Sequence, residues 1–434
     1  METSTVSPFL DQLLADRPVD SARGWLGRLR GQALEQAHGA GVPTVRDEDW
    51  RFTDLSPLYK LAFRAPAVVP EPTPDAIGLH RVAEAAVRMV FVDGRHSPAL
   101  SSAADALPAG LKVERLADVD GEWLRSRLGS VAAFTDDAFV AINTAHLQDG
   151  AVVVVDRDVA IDAPVHLLFV STQPDAAAHP RVLVVAEPSS DVTVIEEHMA
   201  LHDGAYCVNA VTEVIAEANA RVRHVKLQRD GKAGFHLATS AARVERDARF
   251  HSHDIAIGGR ISRQNLRVAL AGEGSECHLD GLALIDGRQL ADTHSFVDHA
   301  VPHGISRQRH KCVVGGGAHA VFNGRVLVRS GAQQTDSAQQ SRNLLLSERA
   351  RVDTKPQLEI FADDVKCAHG ATVGQLELEE VFYLRSRGLD DLAARNLLTY
   401  AFAAEIVDAI GVKSVVERLR AHVMARTGAQ ETLR

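Results

Sequence analysis

Between residues 150 and 361 the chain is a series of short apolar or alternating runs, each stopped by Gly, Asp, Pro or Asn. AVVVVDR (151–157), VHLLFVS (165–171), VLVVAEP (182–188), VTVIEE (192–197) and VNAVTEVIA (208–216) open the series. HVKLQR (224–229), NLRVALAG (265–272), CHLDGLALI (277–285), HKCVVGG (310–316) and RVLVR (325–329) continue it. Such runs predict β-strands. No 3.6-residue period lies between them, which argues against βαβ units. A sandwich, a barrel and a β-solenoid remain. Tight Asn-Gly and Asp-Gly hairpin signals are few, and strands rich in Val on both faces suit stacked parallel coils. The expectation is therefore a solenoid, although no crisp repeat motif is visible.

Helical segments flank this block. Phe9, Leu10, Leu13 and Leu14 form one apolar cluster, and Trp25, Leu26 and Leu29 a second, with Asp20 or Ser21 as the expected N-cap between them. RDEDWRFTDLSPLYK (46–60) reads as a short helix and turn pinned by a buried Trp50, and RAPAVVPEPTPD (64–75) as a stiff connector. RMVFVDG (88–94) looks like a strand and turn, and residues 118–147 like short helices. After residue 376, Gly388 closes one helix and Asp390 or Asp391 opens the next. Leu398, Phe402, Ile406 and Ile410 make an apolar stripe, and Gly411 precedes a third helix. The expected division is 1–117, helical with a Pro-rich connector; 118–361, solenoid core; and 362–434, helical.

The chain carries a net charge of −10, which disfavours a phosphate backbone as partner. The opening METSTVSPFLDQLL has no basic n-region and no long apolar core, so no secretory signal is expected. No run of about 18 uncharged apolar residues suggests a membrane span. Cys207, Cys277, Cys312 and Cys367 are widely spaced and form no Cys-x-x-Cys, which points to free thiols in a reducing cytoplasm. Cys277, Cys312 and, more weakly, Cys207 read as small core residues. There is no P-loop, no G-x-S-x-G and no H-E-x-x-H. VVGGGAHA (313–320) reads as a solenoid turn.

Two groups of residues could carry chemistry. His251, His253, His278, His294, His299, His303, His310 and His319 crowd the later β region. His251 and His253 share a strand face about 6.6 Å apart, as a solvated pair or as part of a metal or proton-relay site. Cys367 and His369 stand in DDVKCAHGAT (363–372), again two apart. Thiolate and imidazole suit zinc, copper or iron–sulfur species, but a tetrahedral site needs about four ligands. Distant histidines supply the remainder, another polypeptide completes the site, or there is no metal. The unpaired last strand of a solenoid also invites a partner.

At this point a resemblance enters. AQQTDSAQQSRNLLLSERARVDTKPQLEIFADDVKCAHGATVGQLELEEVFYLRSRGL (332–389), DEDWRFTDL (47–55), INTAHLQDGAVVVV (142–155) and VFNGRVLV (321–328) resemble the SufB/SufD family of iron–sulfur cluster assembly proteins, on its SufD side. SufB-like chains are usually longer and carry an acidic HEA where this chain reads CAHGA. The resemblance implies a right-handed parallel β-helix between N- and C-terminal helical regions. It implies a cytoplasmic, non-catalytic scaffold that pairs with a SufB-like paralogue and binds a SufC-like ABC-type ATPase on its C-terminal helices. Sulfur would come indirectly from a cysteine desulfurase, and the chain itself would bind no nucleotide. Cys367 and His369 fall on the family's K-C-x-H-G-A-T segment, placed at the paralogue interface, where a transient cluster or iron would be shared. Tyr383, Arg385, Arg387 and Tyr400 are the expected ATPase-facing residues. Homodimers remain open when the paralogue is missing. The rival readings are a SufB-like scaffold, a β-helix enzyme acting on polysaccharide, and a stand-alone iron-binding protein.

Overall fold

Alternate strands of the series pair in parallel, so the chain winds as a coil instead of folding back in hairpins. The computed structural model describes residues 8–15, 24–102 and 107–426. Asp20 and Ser21, the expected N-cap, lie outside the described residues.

One wall of the coil is a sheet ordered β2 (Arg95–His96), β1 (Val87–Val92), β5 (Val165–Ser171), β8 (Asp191–Ala200), β10 (Arg221–Arg229), β12 (Arg249–Ala256), β14 (Glu276–Ile285), β16 (Ile305–Val314), β18 (Asp336–Leu345) and β20 (Lys366–Gly374). The other runs β3 (Leu111–Arg115), β4 (Ala151–Val155), β7 (Arg181–Ala186), β9 (Tyr206–Ala216), β11 (Gly234–Val244), β13 (Ile261–Leu270), β15 (Leu290–His299), β17 (His319–Val328) and β19 (Arg351–Ile360), with β6 (Ala177–Ala178) beside β9. Only the β1–β2 and β3–β4 pairs are antiparallel among the described residues. The fold is mainly β, a parallel β-solenoid with helices at both ends, as the sequence predicts. The ladder begins at β1, ahead of residue 118, and ends at β20, beyond residue 361.

Parallel register stacks like positions over one another. Val153, Val184, Val214, Ala242, Val268, Val297 and Val326 form one continuous inward row, all buried. Each valine so buried contributes about 1.5–3 kcal/mol relative to exposure. One corner is built the same way. Asp158, Ser189, Asn219, Asp247, Gly274, His303 and Gln334 all adopt φ between +58° and +70°, one per coil. Their N–H groups donate to carbonyls of the next coil, those of Pro188, Ala218, Arg246, Glu273, Pro302, Gln333 and Asp364. Small polar residues and glycine tolerate this left-handed conformation best.

The outer walls are covered unequally. Helices α1 (Pro8–Ala15), α2 (Trp25–Ala40), α3 (Ser56–Tyr59), α4 (Gly121–Arg125) and α5 (Ala138–Ala145) lie in the N-terminal third. Phe9, Leu10 and Phe139 of this group pack on the outward side chains of Phe235, Leu237 and Ile261. Trp50 is half-buried, not fully buried, between Phe139 and the Arg263 guanidinium, which lies 4.3 Å from its ring. Arg263 in turn bonds Asp292, which also takes the Thr53 hydroxyl, and this fixes the DEDWRFTDL segment to the solenoid.

Helices α6 (Leu378–Ser386), α7 (Asp391–Asp408) and α8 (Lys413–Arg426) close the chain. Gly388 follows α6 at φ +100°, and the Asp390 carboxylate caps α7 by accepting the Ala393 N–H at 2.7 Å. The buried face of α7 is Ala393, Ala394, Asn396, Thr399, Ala403, Ile406 and Val407, and the buried Ile410 follows just past its end. Leu398 and Phe402, half of the expected stripe, are only half-buried because the helix seats its small residues against the sheet. With α8 this face covers Ile195, Val225, Leu227, Ile255, Leu282, Leu284 and Val313 on the opposite outer wall.

Candidate functional site

The last coil is left open. Among the described residues β20 pairs with β18 along one edge and has no strand on the other. Nearly all of β20 is exposed. It contains no proline, whereas β19, the other terminal strand, carries Pro356, which has no N–H to offer an added strand.

Cys367 and His369 both lie in β20, so strand alternation puts them on one face. Register identifies that face. Cys367 ends the inward row Val192, Val222, Phe250, Cys277, Ser306, Ser337. His369 ends the adjacent row Val194, His224, Ser252, Leu279, Gln308, Gln339. The two residues are therefore continuations of the solenoid interior, uncovered because the coil stops. Cys367 is half-buried against Val326, Val328 and Ala362, and His369 is exposed. Partial burial raises the Cys367 thiol above its ordinary pKa, offset in part by the Ser337 backbone.

The interior changes character toward this end. Along the two rows that end at Cys367 and His369, Val192, Val194 and Val222 give way to Ser306, Gln308, Ser337 and Gln339. His299 Nε2 lies 2.9 Å from the Ser306 hydroxyl, which donates to the Ser337 hydroxyl at 2.8 Å, directly beneath Cys367. Beneath His369, both polar atoms of the buried Gln339 amide lack hydrogen bonds. A Cβ at Gly324 would come within 2.1 Å of that amide and 2.8 Å of the Phe322 ring, so a side chain there would have to displace them. Deeper in the lumen Glu196 accepts from Thr212 at 2.7 Å and pairs with His198 and His224 at 2.7 and 3.0 Å. These partners overcome the burial that would otherwise favour its neutral form, and its pKa falls well below the usual carboxylate range.

Cys207, Cys277 and Cys312 are buried core residues, as the sequence suggests, and burial pushes the thiols of Cys207 and Cys312 up to about 12. VVGGGAHA forms the expected solenoid corner, with Gly317 N–H donating to the Gly287 carbonyl. The solvated reading of the His251–His253 pair needs correction. Both face outward from β12, but His253 is wholly buried, because α7 and α8 pack over the neighbouring Ile255 and Leu282.

Of the four residues expected to face an ATPase, three share α6 and its C-terminal turn. Tyr383 is exposed, Arg387 lies 5.3 Å from its ring, and Arg385 pairs with Asp391 at 3.6 Å. Tyr400 stands apart, packed against the apolar seam of α7 and α8. Sequence reading missed the strongest feature here. Leu378 and Phe382 are 73% and 72% exposed, and Leu392 at the start of α7 is 60% exposed. Their i, i+4 spacing on a short helix was the available signal.

The fold and the site together define a class: a parallel β-solenoid, helix-covered on two walls, whose uncovered terminal coil presents a thiol and an imidazole. The chain belongs to the SufBD family of iron–sulfur cluster assembly proteins. Residues 169–402 match the SufBD core domain of the SUF system for iron–sulfur cluster assembly, and residues 19–167 match the SufBD N-terminal region. The chain is 38% identical to an iron–sulfur cluster assembly SufBD family protein of Synechocystis, over 98% of this chain and 94% of the relative. It is 35% identical to the iron–sulfur cluster assembly protein SufD of Escherichia coli, over 92% and 91% respectively. It is 31% identical to the chloroplastic protein ABCI7 of Arabidopsis thaliana, over 92% and 85%. Among the described residues no helix is long and apolar enough to cross a membrane.

Proposed function

We propose that this chain is a SufD-type, non-catalytic scaffold subunit of a cytoplasmic iron–sulfur cluster assembly complex. It pairs with a SufB-like paralogue through its open terminal coil and binds a SufC-like ATPase through its C-terminal helices. It assists iron entry and cluster formation at the paralogue interface. The observation that carries this reading is the placement of Cys367 and His369 on a solvent-facing strand with an unpaired edge.

Strand addition by a partner would satisfy the free N–H and C=O groups of β20 and bring further ligands beside the thiol and imidazole. A cluster takes about four protein ligands, so two of them make half a site. Iron or a nascent cluster is cargo here, held transiently between subunits. In the isolated chain the raised thiol pKa keeps Cys367 protonated at neutral pH, and iron binding releases that proton. The reading gives nucleotide chemistry to the ATPase and sulfur delivery to a cysteine desulfurase, because this chain has no phosphate-binding loop. Exposed Leu378, Phe382 and Tyr383, edged by Arg385 and Arg387, suit a protein surface with an apolar centre and acidic rim. When the paralogue is missing, the same β20 edge accepts a second copy of this chain.

The test is Cys367→Ala with His369→Ala in the complete complex. Cluster formation should fall at least tenfold, about 1.4 kcal/mol in barrier terms, while the mass of the complex and the folding of the chain stay unchanged. Cluster formation at the normal rate would remove the half-site from the account.

A further inference from the structure

A second set of ligating side chains lies on the outer wall, on β12 and β14, away from the open coil. His253 and Asp280 are register partners, and His251 stands two residues before His253, opposite His278. The Nε2 atoms of His251 and His253 lie 3.0 and 3.7 Å from the same Asp280 oxygen, Oδ2. One ligand atom from each of the three residues lies within 4.8 Å of the others. Two atoms bound to one ion at about 2.0–2.1 Å in tetrahedral array stand about 3.3 Å apart, and the two distances to Asp280 bracket that value.

A second observation is independent of this spacing. His253 is completely buried, and neither of its ring nitrogens has a hydrogen bond. Leaving buried polar atoms unpaired costs about 1–3 kcal/mol each. Asp280 does not relieve this, because it is engaged by Arg309, whose Nε and Nη2 donate to Oδ1 and Oδ2 at 2.8 and 2.7 Å. A carboxylate oxygen can accept twice, so Oδ2 can take an ion and keep its bond to Arg309. Outer hydrogen bonds of this kind orient ligating carboxylates in metal sites generally.

The surroundings select the class of ion. Arg223 on β10 and Arg309 on β16 flank the site in register, and His278 beside it is engaged by Glu276 at 2.6 Å. Two neighbouring guanidinium groups disfavour magnesium or calcium, which are held by charge and by many oxygens. Two imidazoles favour zinc and its neighbours, whose bonds to nitrogen are strong. His251 is 28% exposed at the side chain and opens the site to solvent. Arg309 also reaches Glu405 of α7 at 3.4 Å, so the same residues join the wall to the C-terminal helices.

We propose that His251, His253 and Asp280 form a binding site for one divalent transition-metal ion of zinc's class, on the solenoid wall at the edge of the C-terminal helices. The site is separate from the cargo-handling residues of the open coil and does not depend on a paralogue.

The experiment is a Co²⁺ titration, read by visible absorption, of the full chain carrying Cys367→Ala and His369→Ala, so that the open coil contributes no ligand. One Co²⁺ per chain should bind, with bands of low-coordinate cobalt that Zn²⁺ abolishes. Adding His251→Ala, a change at a partly exposed side chain, should weaken binding at least roughly tenfold. His253→Ala should do the same if the chain folds, and His251→Ala decides the matter if it does not. Absence of saturable Co²⁺ binding, or binding that His251→Ala leaves unchanged, would overturn the proposal.

Discussion

Cys367 is the parallel register partner of Ser337: the same inward position, one coil further on, with Ser337 sealed in the lumen and Cys367 half-open at its end. The difference comes from where the coil stops and not from any local motif. It gives this chain one cysteine with a route to solvent and three without.

Thiol labelling follows from that arrangement. In the native isolated chain an alkylating reagent should modify Cys367 and spare Cys207, Cys277 and Cys312, which should react only after denaturation. Labelling of Cys367 should slow several-fold when the paralogue is added. Peptide mapping would show it, and rapid modification of Cys277 or Cys312 in the native state would contradict the packing.

Acid should destabilise the fold earlier than carboxylates alone would require. Burial pushes His236, His299 and His310 down to about 4. An unfolded histidine titrates near 6.5, so between about pH 6.5 and 4 the unfolded chain binds more protons than the folded one. Stability is therefore full above about 6.5 and falls below it, by up to roughly 1.4 kcal/mol per pH unit for each such histidine. Glu196, Asp230, Asp280 and Asp292 have depressed pKa values, so their contribution persists through this window and is lost only at lower pH. Denaturant midpoints between pH 7.5 and 5 test this, with His310→Gln expected to flatten the slope. A midpoint independent of pH over that range would refute it.

Gly281→Ala probes the lumen directly. His310 stacks on Phe322 with ring centroids 4.6 Å apart, and a Cβ at Gly281 would meet His310 Nδ1 at 2.0 Å. The methyl group should cost about 1–3 kcal/mol through displacement of that stack. A variant as stable as the parent would mean that the ring has room to move.

The ATPase interface proposed for the C-terminal helices can be tested separately. Phe382→Asp and Arg385→Glu change exposed side chains, so the thermal midpoint should stay nearly constant. Affinity for the ATPase should fall by about tenfold or more for Phe382→Asp, an exposed aromatic of the kind that anchors interfaces. Calorimetric titration measures both, and unchanged affinity in both variants would move the docking surface elsewhere.

Much of the architecture is legible in the residues, because a buried parallel strand must be apolar on both faces, as AVVVVDR and VLVVAEP are. The repeat is not. Successive coils are offset by 28, 27, 29, 31 and 30 residues from Arg221 to Lys366, so the corners absorb enough variation to blur any motif. The left-handed corner is equally hidden, since Asp, Ser, Asn, Gly, His and Gln each occupy it. Cys367 and His369 stand out by type and spacing, but their place in the lumen rows depends on register with strands about thirty residues away. His253 looked like a surface residue because its cover comes from helices more than 130 residues later in the chain. Phe382 gives little sequence signal because its helix fully buries only Val381 and so shows no apolar stripe.

The central claim is that this chain works as half of an assembly, joined through its open coil. The most direct test is the native mass, with subunit identification, of the protein drawn gently from its own cells. The account predicts one copy of this chain with a longer paralogue and an ATPase, and loss of the paralogue when proline is placed within β20. Recovery of the chain alone, with neither partner, would contradict it.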